Sequence, residues 1–402
     1  MNELLAHSTP LALDGLTIID LSHFEAGPVA TQSLAFMGAD VIKIERPGHP
    51  PDRLIPSFPT VNMNKRSMTL DLKSPDGQAV MMDLLRRADI LVDNFGPGVM
   101  ERLGLHYDAV SQVNPRLICL QIQGFGSDSP YANYRSYDPI AQAMGGAMSI
   151  TGRPDGPPMR SGVNIGDSSS GLYATIGVLA AVVQRERTGR GQRIEVALQD
   201  AVIALSRTAF VHQMLEGEAT PRVGNEGFPS LSSAPSNAYH CVPFGPNDWC
   251  YIHVHPRSED EWLRLLSAIG RTDLADDPRL GSSRLRFENV EFVDALLSEW
   301  TGQHTKQEVM SILGEQQIGV GPVLSTDELT RDAYLLERGS MAAIDIPEHG
   351  RTVIPGWPVH LSASPVEFTA PHGVGADTTD VLRDLLGYDD DRIAALRASG
   401  VV

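Results

Sequence analysis

From Leu16 onward, short runs of β-branched residues alternate with segments whose apolar positions recur at helical spacing. TIIDLS (17–22) predicts a strand, GPVATQSLAFMGAD (27–40) a helix and VIKIER (41–46) a second strand. The proline-rich loop PGHPPDRLIPSFP leads to a strand at MTLDLK (68–73). A helix follows, with Ser74 as N-cap and Pro75 at its first position, and then a strand at ILVDNF (90–95). LICLQIQGF (117–125) comes after another short helical patch. Beyond Asp167, GLYATIGVLAAVVQRERTGRG is apolar at helical spacing and closes on arginines and Gly189, which suit the negative end of a helix and its stop.

Strands separated by single helices are the pattern of a parallel sheet with crossover helices, so the first half reads as a large α/β, Rossmann-like domain, residues 1–205. RIEVAL predicts one more strand and a helix starts near Gln199. Composition then changes: residues 217–238 are rich in Gly, Pro, Ser and Asn and read as a linker or long active-site loop, with the linker proper at 206–224. WCYIHVH predicts a strand, and EDEWLRLLSAIG, VEFVDALLSEWTGQ and KQEVMSILGEQQ predict helices, so residues 225–325 read as a smaller α+β domain. A strand-rich connector and two short helices, DTTDVLRDLLGY and DDDRIAALRASG, end the chain.

Composition narrows the functions open to such a protein. With 402 residues, of which 42% are hydrophobic, a large core is affordable, whereas a formal net charge of -18 argues against a non-specific grip on nucleic acid or anionic membrane. Three cysteines, none in a CxxC pair, suggest neither a disulfide framework nor a zinc site and fit a reducing compartment. No segment offers the roughly 18 apolar residues needed to span a bilayer, and the N-terminus lacks the pattern of a signal peptide. The expectation is a cytoplasmic protein.

Motifs narrow it further. The loop after the first strand is SHFEAGP, without the GxGxxG of dinucleotide-binding folds, and no Walker loop is present. Neither glycine near the serine run RSGVNIGDSSSG completes the G-x-S-x-G of a hydrolase elbow. His253 and His255, two apart on a predicted strand, share a face but lack a third metal ligand. Between Lys43 and Lys73, six basic residues (Lys43, Arg46, Arg53, Lys65, Arg66, Lys73) accompany three acidic ones, at strand ends where open α/β sheets bind ligands; a phosphate-bearing ligand fits that balance. Asp167 has two readings from spacing: an N-cap for a helix beginning near Ser168, or a carboxylate at a helix start exposed to a ligand as a covalent nucleophile.

The stretches AGPVATQSLAFMGADVIKIERPG, NKRSMTLDLKSPDGQ, ADILVDNFGPGVMERLGL, YDPIAQAMGG, GDSSSGLYATIGVLAAVVQRERTGRGQRIEVAL and LLGYDDDRIAALRASGVV together resemble the class III CoA-transferases, the group of formyl-CoA and carnitine CoA-transferases. The resemblance implies a Rossmann-like domain built from both chain ends, with residues 326–402 returning to it, a small inserted domain, and an interlocked homodimer. It implies Asp167 as nucleophile toward an acyl-CoA thioester, with transfer of CoA to a carboxylic acid and neither metal nor permanently bound cofactor. It further implies that Arg46, Leu70, Lys73, Asn94, Phe95, Arg102 and Arg135 hold coenzyme A, and that Phe24, Glu25, Tyr137 and Gly166, with the loop 224–239, shape the acid pocket. Some relatives carry glutamine where this chain has Glu25, whose charge would repel an anionic acceptor unless paired or protonated. The glycine-rich flap of the formyl-CoA enzyme is absent; GNEGFPSLSSAP occupies that region. Two other readings are an α-methylacyl-CoA racemase, disfavoured by Tyr137 where those enzymes have histidine, and a CoA-binding, non-catalytic subunit of a heteromeric transferase.

Overall fold

A computed structural model describes residues 10–48, 50–227, 233–346 and 350–402. The chain divides into two compact units. The first comprises the chain up to Gly146, Ser161–Leu205 and Asp332–Val402; the second comprises Ala147–Arg160 and Ser206–Arg331.

The first unit is built on β1 (Thr17–Asp20), α1 (Ala26–Phe36), β2 (Asp40–Glu45), β3 (Arg66–Thr69), α2 (Pro75–Arg87), β4 (Ile90–Asp93), β5 (Ile118–Gln123), α3 (Asp138–Met144), α4 (Ile165–Thr188) and β6 (Arg193–Ala197). All six strands run parallel in the order β3-β2-β1-β4-β5-β6. Each predicted strand of this half is present, shortened where its last residues turn into the following loop; β3 also begins two residues before the segment predicted for it. The chain moves outward from β1 to β3, then returns to β4 and leaves in the opposite direction. The carboxyl ends of β1 and β4 therefore flank a crevice, the place where such sheets bind ligands.

Apolar residues on β1, β2, β4 and α2 (Ile19, Ile42, Leu91, Leu84) share one core with Val381, Leu382, Ile393, Leu396 and Val401 from the chain end. Residues 377–388, read as one helix, form a helical turn at Thr378–Asp380 and a π-helical turn at Val381–Leu385; the last helix, α5 (Asp390–Ala398), is regular. Ser74 caps α2 by accepting from Gly77 N at 2.9 Å. Gly189, at φ 71, ends α4 in the left-handed conformation that glycine adopts without steric cost.

The second unit carries a three-stranded antiparallel sheet, β7 (Ser236–His240), β8 (Trp249–His253) and β9 (Gly319–Pro322), packed on helices that include Glu259–Ala268, Val290–Thr301 and Lys306–Glu315. Its core gathers Trp262, Leu265, Val293 and Leu313. The segment read as linker contains a helix at Phe210–Glu216, and residues 147–160 join this unit, an association that local periodicity cannot announce. His255 lies beyond the end of β8, so it does not share a strand face with His253. Part of the loop 224–239, residues 228–232, lies outside the described residues. Among those described, no helix is long and apolar enough to cross a membrane.

Candidate active site

The loops leaving β1 and β4 are laced together. His23 N donates to Asn94 Oδ1 at 2.8 Å and Asn94 Nδ2 donates back to His23 O at 2.7 Å, so the Asn94 side chain fastens the loop after β1. That clasp holds Phe24 at φ 60, a left-handed conformation costly for an aromatic residue, and leaves its side chain exposed (62%). Strain of this kind persists only where surrounding contacts over-determine it, and here it turns a large ring into the crevice.

Asp167 enters from α4. The helix begins at Ile165, so Asp167 is its third residue rather than the N-cap expected from spacing; Asn164 stands at the cap position. The helix can wind early because Asp138, buried at the start of α3, accepts Gly166 N at 2.8 Å through Oδ1 and Gln142 Nε2 at 2.7 Å through Oδ2. An orphan amide of the first turn is thereby satisfied without Asp167, whose side chain is left for other work. Gly166 is tightly packed: a Cβ would lie 3.0 Å from Ala141 and 3.1 Å from Asp138 Oδ1, so these neighbours would have to yield. Glu25 is fixed by Asn164 Nδ2 (2.7 Å) and Ser168 Oγ (2.8 Å).

Three carboxyl groups thus converge on one helical turn. Burial, then the charges of Glu25 and Asp138, push the Asp167 carboxyl up to about 7. The amino end of a helix favours an anion, and burial outweighs it here.

Two cavities open on the crevice. One, of about 290 Å³, has Phe24, Asn94, Phe95, Arg135, Tyr137 and Asp167 in its wall. The other, of about 520 Å³, is lined by Arg46, Leu70, Lys73 and His23, and Phe95 belongs to both walls. Glu25, Gly166 and Arg102 line neither: Glu25 is turned toward α4, Gly166 is packed on α3, and Arg102 is exposed.

The basic cluster divides on inspection. Buried Lys43 donates to Ser22 O (2.7 Å), and buried Lys65 to Asp20 (3.1 Å), Pro28 O and Asn62. Burial works against the charge on Asp20, but Lys65, Lys43 and the hydroxyls of Ser22 and Thr31 hold its carboxyl below the usual carboxylate range. Arg53 is taken up by Glu45 (2.7 Å) and Arg66 by Asp40 (3.0 Å). Only Arg46 and Lys73 of the six line either of these two cavities, and no described carboxylate forms an ion pair with either. The sequence signal was a count of charges; four of them serve the fold.

Asp138, Asn164, Ser168, His23 and Asp52 escaped the reading from spacing. Each acts through a partner remote in sequence; His23 and Asp52, for instance, pair through Nδ1 and Oδ2.

A sequence profile described as CoA-transferase family III matches residues 13–378. The chain is 40% identical to a formyl-CoA:oxalate CoA-transferase of Streptomyces avermitilis, covering 97% of this chain and 99% of that one. A protein of the same name from Rhodopseudomonas palustris is 38% identical, with 97% of each covered. Among solved structures, a CAIB/BAIF family protein from Brucella suis is 28% identical with a TM-score of 0.83, covering 94% of this chain and all of that one.

Proposed function

The chain belongs to CoA-transferase family III, and from that premise we propose that it moves CoA from an acyl-CoA donor to a carboxylic acid through covalent intermediates on Asp167. One observation carries the reading: Asp167 is the only acidic residue among the described residues lining the smaller of the two cavities at the β1–β4 crevice. In the proposed cycle, a carboxylate oxygen of Asp167 attacks the thioester carbonyl, the C–S bond breaks, and an aspartyl-acyl anhydride and CoA thiolate result. The thiolate attacks the aspartyl carbonyl, releasing the donor acid and leaving an aspartyl-CoA thioester. The acceptor carboxylate displaces CoA from that thioester, and the thiolate takes the acceptor acyl group from the second anhydride, restoring Asp167. Each step exchanges one activated acyl bond for another, so the thioester's energy is kept.

A carboxylate is a weak nucleophile in water, and a site that holds thioester and acid together removes much of the entropic barrier. Exposed Arg46 and Lys73 on the larger cavity suit the phosphates of CoA, and the apolar wall around Phe24, Phe95 and Tyr137 suits its thioester arm. The relatives' named substrates, formyl-CoA and oxalate, form the first pair to assay. Glu25 beside Asp167 adds negative charge where a dianionic acceptor would have to approach, which favours a monocarboxylic acid over oxalate. An interlocked homodimer, the assembly the family resemblance implies, would also cover Leu172, Ile176 and Val183, exposed on α4 at 48%, 61% and 54%.

Trapping tests the reading. Incubation with acyl-CoA and hydroxylamine should convert Asp167 to its hydroxamate, seen by peptide mass spectrometry, and Asp167→Ala should stay unmodified. Rapid α-deuteration of acyl-CoA in deuterated water, without modification of Asp167, would overturn it.

A further inference from the structure

The larger cavity holds a titratable group that the proposed cycle does not use. His23 lines it together with Arg46 and Lys73, and its position is over-determined: Asn94 grips its backbone on both sides, Phe95 lies against its ring at 5.2 Å, and buried Asp52 takes Nδ1. With Nδ1 committed to Asp52, the atom left for a ligand is Nε2, which has no partner among the described residues. The surrounding charges are otherwise spoken for. Glu45 in the same wall is engaged by Arg53 and Ser67, and Asp71 accepts Lys73 N at 3.0 Å, while the Arg46 and Lys73 side chains stay open. A carboxylate behind an imidazole, in the wall of a cavity that also carries two cations outside any ion pair, is an arrangement suited to a phosphate oxygen.

We propose that His23, oriented by Asp52, is a phosphate-binding residue of the nucleotide end of coenzyme A, donating through Nε2 alongside Arg46 and Lys73. This rests on the reading that the chain binds CoA. For Nε2 to donate while Nδ1 stays with Asp52, the ring must carry two protons in the CoA complex. Pantetheine, which has the thiol arm but no phosphate, makes no such demand.

Calorimetry of the full-length protein near pH 7.5 compares the two ligands directly. His23→Gln should weaken CoA binding about tenfold, the loss of one charge-assisted hydrogen bond, and leave pantetheine affinity unchanged. Asp52→Asn should also reduce the CoA affinity, and adding His23→Gln to it should cost little more. Equal loss of both affinities in His23→Gln would overturn the proposal, reducing His23 to a prop for the loop. Histidine-detected NMR of the wild-type protein provides a check independent of any variant: the Nε2 shift should move on adding CoA and stay with pantetheine, and an unmoved shift with CoA bound would also overturn it. Failure of wild type to bind CoA, or to be trapped at Asp167, would instead sink the transferase reading.

Discussion

Asp167 carries two opposed demands. The proposed attack on a thioester requires the ionised carboxylate, yet burial and the charges of Glu25 and Asp138 raise it to about 7. Covalent modification of Asp167 by acyl-CoA should therefore rise on the order of tenfold between pH 6 and pH 8, as single-turnover mass spectrometry would read. Glu25→Gln removes one of the raising charges, so the profile should move to lower pH and the preference for monocarboxylic acids over oxalate should shrink; an unmoved profile would show that Glu25 does not act on Asp167. The same shift has a sign for stability. A carboxyl raised in the folded state binds its proton more tightly there than in the unfolded chain, so its contribution is complete below about pH 4 and is lost as pH rises through about 7. Asp167→Asn should gain on wild type across that window, by about 2–4 kcal/mol at pH 8, in urea titrations at the two ends.

At the scale of elements, the site depends on two helices brought unusually close. A Cβ on Gly171 of α4 would stand 2.7 Å from Ala26 O and 2.8 Å from Val29 on α1, so Gly171→Val forces the helices apart. Since Glu25 leads into α1 and Asp167 rides on α4, trapping at Asp167 should fall together with melting temperature. Beneath them, Lys65 compensates Asp20 at the end of β1. Lys65→Met leaves that buried carboxylate short of its nearest cation and should cost about 3–5 kcal/mol in denaturant unfolding. The elements themselves were legible from sequence because their periodicity and caps are local: Ser74, Pro75 and Gly189 act within one turn of where they stand. The start of α4 was not, since the group that satisfies its first turn, Asp138, lies 28 residues upstream.

At the scale of the whole chain, the first unit is completed by the residues 332–402 that return to it. Val381, Leu382, Ile393, Leu396 and Val401 complete the core that β1, β2 and β4 begin, and Val401 O accepts Asp71 N at 2.8 Å. Truncation before Val381 should abolish the cooperative melt of the first unit, checked by calorimetry, because it strips one side of that core. The sequence by itself determined the alternation of strand and helix, the parallel sheet that alternation requires, and a family resemblance that points to Asp167 as a nucleophile. Tertiary structure decided which charges are free, since Lys43 and Lys65 are consumed in the core while Arg46 and Lys73 reach a cavity. It decided, too, the company of Asp167: Glu25 comes from the loop after β1 and Asp138 from α3. The physical reason is range. Backbone propensity and capping act over a few residues, whereas desolvation and Coulomb interaction depend on distance in space, which the chain fixes only once it has folded.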